Sequence, residues 1–484
     1  LKNISPEDRL PLVLKIIDAR NSSLRGQLSL IEIGQTISTW PQLASAVTLG
    51  GGVVTDVCRR ILLNQYNESG RYYVDLESII GNKKPEAKPE VVGNPYHPFS
   101  VLDAVEIADS FPSGQNSYTP DSETISEIVK AAGMAPSNAN DQPWKLLYRN
   151  SRLYLFHDQY RSFSFAAFGD ILPHIALGAA YENILLKANQ YGLKIKSQLF
   201  PLESQPNLVA VIDFNKADNE IGSFENVYAP GSVDFISVRS TNRNPSIPAD
   251  IPAEDMQKLK EASKSVIGAE LHFINDKQKI LEIGEIIGAC ERINLLNHSG
   301  HQDFYQRDIR WTPDESGDGI DVSNLGMVPA QMAAYSIIRD PKIAKTLKNI
   351  EGGNALVDGM IRNAGTASGF GIITIPGTEP TNYFSGGIAM QRLWLQAEAL
   401  GYAIYPFSAP LHLFPRLSAG YNLGLDTNEI EKLTQLREKF LGIIPNEIDR
   451  TEVFVFKIAK AEKSAVKSAR LPLSEILFIK NNEI

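Results

Sequence analysis

The chain has little of what would place it in several common classes. It has two cysteines in 484 residues, Cys58 and Cys290, far apart and without a CxxC partner. That usage excludes a disulfide scaffold and a zinc ribbon and fits a reducing cytoplasm. No run of about 20 apolar residues is present, so no segment reads as a membrane span. Basic residues number 47 against 56 acidic, for a net charge of -9. The field as a whole repels phosphate backbones, and nucleic-acid binding would need a local basic patch. The stretch 457–470 is the one candidate, and Glu462 and apolar residues interrupt it, so it reads as a solvated segment. No signal peptide is visible, and the first residue is Leu, which reads as a piece of a longer protein. No Ser-His-Asp set or acid pair stands out, so no catalytic acid or base is assigned.

What is present is ordinary in bulk and patterned in detail. A length of 484 residues suggests two to four domains at about 150 residues each. Residues 5–65 read as helices, opened by Ser5 as a cap with Pro6 and two acids behind it. The region 40–63 is largely apolar, interrupted by Gly50, Gly51 and Gly52, and must be buried against something. Residues 82–120 read as a linker, charged at first and then broken repeatedly by Gly and Pro. From Asp121 helices and strands alternate. A helix over 121–133 leads to a hairpin over 144–148 and 153–156, a long apolar helix over 170–191 and a strand over 209–214. A second round follows: helix 253–263, strand 270–274, helix 277–295, strand 371–375, helix 382–400, strand 402–405, helix 428–438 and strand 453–458. The two rounds share an element pattern without a strong repeat of letters. The expected fold is α+β, a two-lobed pseudo-dimer with lobes over 121–235 and 236–484, behind a helical segment over 1–81.

Four segments carry the chemistry. The first is AAGMAPSNANDQPWKL, residues 131–146. Pro136 ends a helix, and Ser137, Asn138, Asn140 and Gln142 follow, short groups that can line the edge of a planar polar ligand; a plain helix-to-strand loop anchored by Trp144 reads equally well. The second is RSTNRNP from Arg239 to Pro245, whose arginines suit bidentate phosphate contact or simple surface charge. The third is KSARLPLSEIL, residues 467–477, and the fourth ALGYAIYPFSA, residues 399–409.

Taken together these segments resemble the nitroreductase family. The first resembles its A-P-S-x-x-N-x-Q-P-W signature, which lies against the flavin. The second resembles its R-S-x-R phosphate motif, with Arg239, Ser240, Thr241 and Arg243 at the matching positions. The third resembles the closing K-x-R-x-P-L-E-E segment, whose basic residues reach the phosphate, here Lys467 and Arg470. The fourth resembles the A-L-G-L strand and loop, with backbone near Pro406 and Ser408 facing the flavin. The resemblance implies FMN as cofactor, NAD(P)H as reductant and a small-molecule electron acceptor, in a cytoplasmic enzyme with room for a homodimer. Residues 85–148 contain no arginine, so the first lobe has the loop without a phosphate grip, and the second the grip without the loop. One complete site per chain is expected, as in the two-lobed Acg-like branch of the family. Hydride chemistry then belongs to the cofactor. The opposing reading is a module that stores FMN or tunes a partner without turnover.

Residues 291–322 are rich in charge and aromatics and interrupt the second round. They read as a lid over the flavin or as a strut between lobes, with Arg307, Arg310 and Trp311 on the substrate side and Gly317, Asp318 and Gly319 as a hinge. His298 and His301 lack supporting ligands at metal-site spacing, so no metal is expected. Residues 38–63 resemble the last helices of ThiF-like adenylyltransferases, which some proteins of the MoeY type fuse ahead of a nitroreductase domain. No GxGxxG loop is present, so the resemblance implies a helical remnant without adenylation.

Overall fold

A computed structural model of the chain describes residues 4–81, 92–112, 118–216, 232–312, 316–419, 424–444, 449–463 and 466–480. Residues 82–91 and 113–117 of the expected linker, 217–231 of the expected first lobe and 313–315 of the expected lid lie outside them. The chain divides into two units, one of Leu1–Val92 with Met327–Ala355 and one of Gly93–Gly326 with Leu356–Ile484.

The smaller unit is helical. Helices Pro6–Ile17 and Leu24–Glu32 pack on helices Pro329–Ile338 and Pro341–Asn349, so a segment from the middle of the chain completes it. Glu32 is buried there and accepts from Gly353 N (2.7 Å) and Thr36 Oγ1 (2.9 Å). Helix Ala44–Leu62 buries no residue.

Among the described residues the larger unit holds twelve short or long strands. The first four are β1 (Trp144–Arg149), β2 (Arg152–His157), β3 (Leu193–Leu199) and β4 (Leu208–Lys216). They are followed by β5 (Ser246–Ile247), β6 (Glu270–Ile274), β7 (Ile309–Arg310) and β8 (Ile320–Asp321). The last four are β9 (Gly369–Pro376), β10 (Ala403–Phe407), β11 (Arg450–Ala461) and β12 (Leu477–Ile479). One sheet runs β12-β1-β2-β4-β3 and the other β10-β11-β9-β6, with β5 on β11. Read from their first strands, β1-β2-β4-β3 and β6-β9-β11-β10 are the same order. The fold is thus α+β and two-lobed, as the alternating pattern predicts.

The join between lobes shows the same symmetry. A long helix stands at the centre of each, Ile171–Gln190 and Pro380–Ala399. They correspond residue for residue at an offset of 209. At the crossing, a Cβ on Gly178 would lie 1.9 Å from the Phe384 carbonyl oxygen, and one on Gly387 2.0 Å from that of Ile175. Only glycine lets two backbones approach this closely. One turn on, Gln391 donates to Asn183 (2.7 Å), and Arg392 pairs with the fully buried Glu182 at 3.0 Å. The apolar faces of both sheets close on this pair of helices in one core.

Two features depart from the sequence reading. Residues 101–110, inside the expected linker, form helix Val101–Ser110 with a Ser100–Asp103 capping box. Its Ala104, Ile107 and Ala108 cover Leu147, Tyr154, Phe156 and Val211, the second face of the first sheet, which would otherwise be bare. The C-terminal residues also leave the second lobe. β12 pairs in parallel with β1, Leu146 opposite Leu477, and this return carries Lys467 and Arg470 to the first lobe.

Candidate functional site

The 131–146 segment is a loop under tension. Helix Ser122–Gly133 is capped by Asp121, which accepts from Thr124 N (2.7 Å), and stops just before Pro136. Ala139, Asn140 and Gln142 then take left-handed φ values of 48°, 58° and 49°, each costing of order 1–3 kcal/mol outside glycine. Bonds from three directions hold them. Ser137 Oγ accepts from Gln142 N (2.9 Å). Asn140 Nδ2 donates to Gly319 O and Ala469 O (3.1 Å each), and its Oδ1 accepts from Arg470 (3.0 Å). Gln142 Nε2 donates to Gly317 O (2.9 Å), and its Oε1 accepts from Leu471 N (3.0 Å). The two buried amides expected at a ligand's edge therefore fasten the loop to the C-terminal tail and to the 291–322 segment. Pro136, Ser137 and Asn138 remain half-buried.

Two arginines from distant parts of the chain meet behind this loop. Arg239 is buried, with its guanidinium 4.5 Å over the Trp394 ring, and it donates to Met134 O (3.0 Å). Arg470 donates to Ala469 O (2.9 Å) and weakly to the same Met134 carbonyl (3.4 Å). The Nε atom of each is buried without a hydrogen-bond partner, and among the described residues neither forms an ion pair. Burial, with the Arg470 charge beside it, pushes Arg239 down to about 9, and burial pushes Arg470 down to about 10. Both stay charged at neutral pH. Glu398 acts on Arg239 without forming an ion pair with it, and two like charges in a half-dry pocket with unsatisfied donors suit an anion. Lys467 lies at the rim, exposed, reaching Ser237 O at 3.4 Å. A cleft of about 510 Å³, lined in part by Lys130, Met134, Ser237, Arg470 and Ile476, opens here, a size usual for small-molecule sites.

The other expected residues fall into two further groups. Ser240 and Thr241 are half-buried, and the strand-like run through Thr241 and Asn242 lies along Ile404 of β10. Arg243 points away from Arg239. Its guanidinium sits 5.3 Å over Tyr405 and donates to Asn324 O (3.1 Å). Pro406 pairs with Phe456 inside the second sheet, and Ser408 precedes helix Ala409–Ser418. Beside them lies Glu291, which sequence reasoning did not single out. Burial pushes its carboxyl up to about 7 against the pull of Arg243 and the Ala409 N–H. The third group is the 291–322 segment. Arg307 donates to Arg161 O (2.7 Å), Arg310 donates to Arg307 O (2.7 Å) and pairs with Asp318, and Trp311 stacks on Tyr305 at 5.3 Å. These three side chains are used within the segment and across to the first lobe. Arg161, also missed, binds Asp141 O (2.9 Å) and Asp318 (2.8 Å); its position 19 residues beyond Gln142 gave no signal.

Among the described residues no group of three His, Cys, Asp or Glu could hold a metal, and no helix is long and apolar enough to cross a membrane. No known family profile matches the chain. It is 28% identical over 475 residues to an uncharacterized protein of Mycobacterium tuberculosis; the match takes in 97% of this chain and 62% of that protein. Several solved structures overlap half of the chain. A Bacteroides fragilis nitroreductase with bound FMN shares 12% identity over 50% of this chain and 96% of its own, at a TM-score of 0.30. A BluB-like flavoprotein from Clostridium difficile shares 14% over 51% and 98%, at 0.29. The FMN-dependent nitroreductase NfnB from Mycobacterium smegmatis, in complex with NADPH, shares 15% over 50% and 96%, at 0.27.

Proposed function

We propose that the larger unit binds one FMN per chain and is an oxidoreductase that draws on NAD(P)H and passes electrons to a small-molecule acceptor. The observation that carries this is the meeting of Arg239 and Arg470, from the two ends of the second lobe, behind the first lobe's loop with their Nε atoms unsatisfied. A phosphate fits that donor set, since each Nε and its neighbouring nitrogens can bind two oxygens at once. Arg239, Arg470 and the rim residue Lys467 would hold the phosphate. The half-buried Pro136, Ser137 and Asn138 would border the ring system, which supplies the hydride chemistry when bound. The chain's own work is then to grip, orient and exclude water.

One observation favours a second reading, storage without turnover. Asn140, Gln142 and Arg161 tie the 291–322 segment tightly to the loop, which restricts what could reach a bound flavin. Heat release from the purified chain, with flavin quantification and NADPH addition, tests both. One FMN per chain that bleaches with NADPH supports the enzyme. One FMN that stays yellow supports storage. No flavin, two flavins or FAD in its place defeats the proposal.

A further inference from the structure

We infer that residues 307–310 and 317–319 form a strap whose closure on the 137–142 loop is governed by carboxyls buried beneath it, so that it is tight in mild acid and loosens as pH rises through neutral. This goes beyond the flavin reading and stands whether or not the loop holds FMN.

The closure itself is a set of contacts across the seam. Gln142 binds Gly317 O, Asn140 binds Gly319 O, and Gly319 N returns to Asn140 O at 3.4 Å. Asp318 is the clasp, held by Arg161 from the first lobe and Arg310 from the strap. Gly317 and Gly319 both have φ of 72°, and a Cβ on either would meet Arg470 O at 3.0 Å or the Arg310 guanidinium at 2.8 Å. Neither glycine position leaves room for a side chain, while Asp318 between them supplies the clasp.

Beneath the clasp three carboxyls crowd around one arginine. Asp141 stands in the loop, with one carboxylate oxygen buried and unpartnered. Around it stand Ser137, Arg161, Arg307 and Asp308. Asp308 faces Asp303, Arg307 and Arg310. Asp303 accepts from Phe165 N (2.5 Å) and faces Arg307 and Arg416. Arg307 is therefore shared among three carboxyls from three elements. Arg161 and Arg310 are already committed to Asp318, whose carboxyl their charges hold below the usual range despite its burial. Ionising Asp141 and Asp308 would take two charges out of water, with Arg307 as the one guanidinium that faces both.

The sign follows from burial. Closure pushes Asp141 and Asp308 each up to about 7, and Asp303 upward as well. An opened strap returns them to water and to the ordinary carboxylate value of 3.8. The closed form holds the protons more tightly, so its advantage is complete below about pH 4 and is lost as pH rises to about 7, at up to tenfold per pH unit per carboxyl.

Hydrogen exchange on the whole purified chain, corrected for intrinsic rates, reads the opening directly. Amides of 304–311 and 140–146 should open at least ten times more readily at pH 8 than at pH 5.5, while the helix Ile171–Gln190 stays unchanged. Asp141→Asn with Asp308→Asn should abolish the difference and keep the strap protected at both pH values. Should that pair not fold, Asp318→Asn serves: it should open the strap at both pH values and leave the central helix protected. Equal protection at both pH values in the parent chain, a pH response that survives the double substitution, or an Asp318→Asn strap as protected as the parent's would each overturn the inference. Flavin content, measured on the same samples, judges the cofactor reading separately.

Discussion

The two lobes of the larger unit keep one strand order and differ in what joins their first two strands. In the first lobe β1 reaches β2 through Asn150 and Ser151, both at positive φ, a two-residue turn matched to strand twist. In the second, the chain between β6 and β9 makes an excursion over 275–368. That excursion carries the strap and a piece of the helical unit. The centre has stayed symmetric, because any change at the helix crossing strains both lobes at once. The periphery differs: the loop and Arg239 stand on opposite lobes, and the C-terminal tail brings Arg470 to the loop. Symmetry in the frame with asymmetry in the chemistry argues for one site per chain.

The hardest way to break that comparison is at the crossing. Gly178→Ala and Gly387→Ala should each destabilise the protein by more than about 3 kcal/mol, since neither backbone can retreat from a contact under 2.1 Å. Denaturant unfolding would show it, and the two losses should be similar. A tolerated alanine at one position alone would mean the halves are not equivalent.

Next in size is the grip on the cofactor. Arg239→Ala and Arg470→Ala should each weaken FMN binding by about 1.5–3 kcal/mol, roughly 10- to 150-fold, with folding intact. Arg149, paired with Asp109 on the first lobe, supplies the contrast, and Arg149→Ala should leave flavin affinity unchanged. Equal losses in all three would remove the asymmetry between lobes.

The lobes should also part in acid. His157 and His174 are buried in the first lobe, where burial pushes them down to about 3 and about 4. The second lobe has His412, also down to about 3. Each is neutral when folded and titrates near 6.5 when unfolded. Their contribution is thus present above pH 6.5 and lost as pH falls toward 4, by up to about 1.4 kcal/mol per pH unit and residue. His174→Gln should flatten the fall in melting temperature between pH 6.5 and 4.5. An unaltered slope would show that these histidines are not what acid attacks.

Much of the frame was legible in the chain, because long apolar helices and alternating strands carry their own periodicity. The central helices were expected within two residues of where they lie. Their correspondence was hidden, since the offset of 209 preserves shape at Gly178 and Gly387 more than letters. The site was legible as residue types and not as contacts. Nothing local told that Asn140 and Gln142 would bind backbone of the strap and tail, because their partners lie about 175 to 329 residues away. The helical unit was least legible. Among the described residues, 21 of the 30 large apolar side chains left exposed belong to it, and the expectation that the 40–63 helix is buried is not met there. Periodicity says that a face needs cover and cannot say what covers it.

The smallest expected effect separates the grip from its rim. Lys467 resembles Arg470 in the sequence pattern, three residues before it, yet the structure gives them different surroundings. Arg470 has a buried Nε and a carbonyl-lined pocket, whereas Lys467 is exposed and reaches only Ser237 O at 3.4 Å. An exposed cation acting through water contributes about 0–1 kcal/mol. Lys467→Ala should therefore weaken FMN binding by no more than about fivefold, and the loss should vanish near 1 M salt, where screening reaches about 3 Å. The losses at Arg239 and Arg470 should persist in that salt, because their Nε atoms are buried. Titration of apo-protein with FMN at low and high salt makes the distinction. A Lys467→Ala loss as large and as salt-resistant as that of Arg470→Ala would place this lysine inside the pocket, with the tail turning differently from β11 to β12.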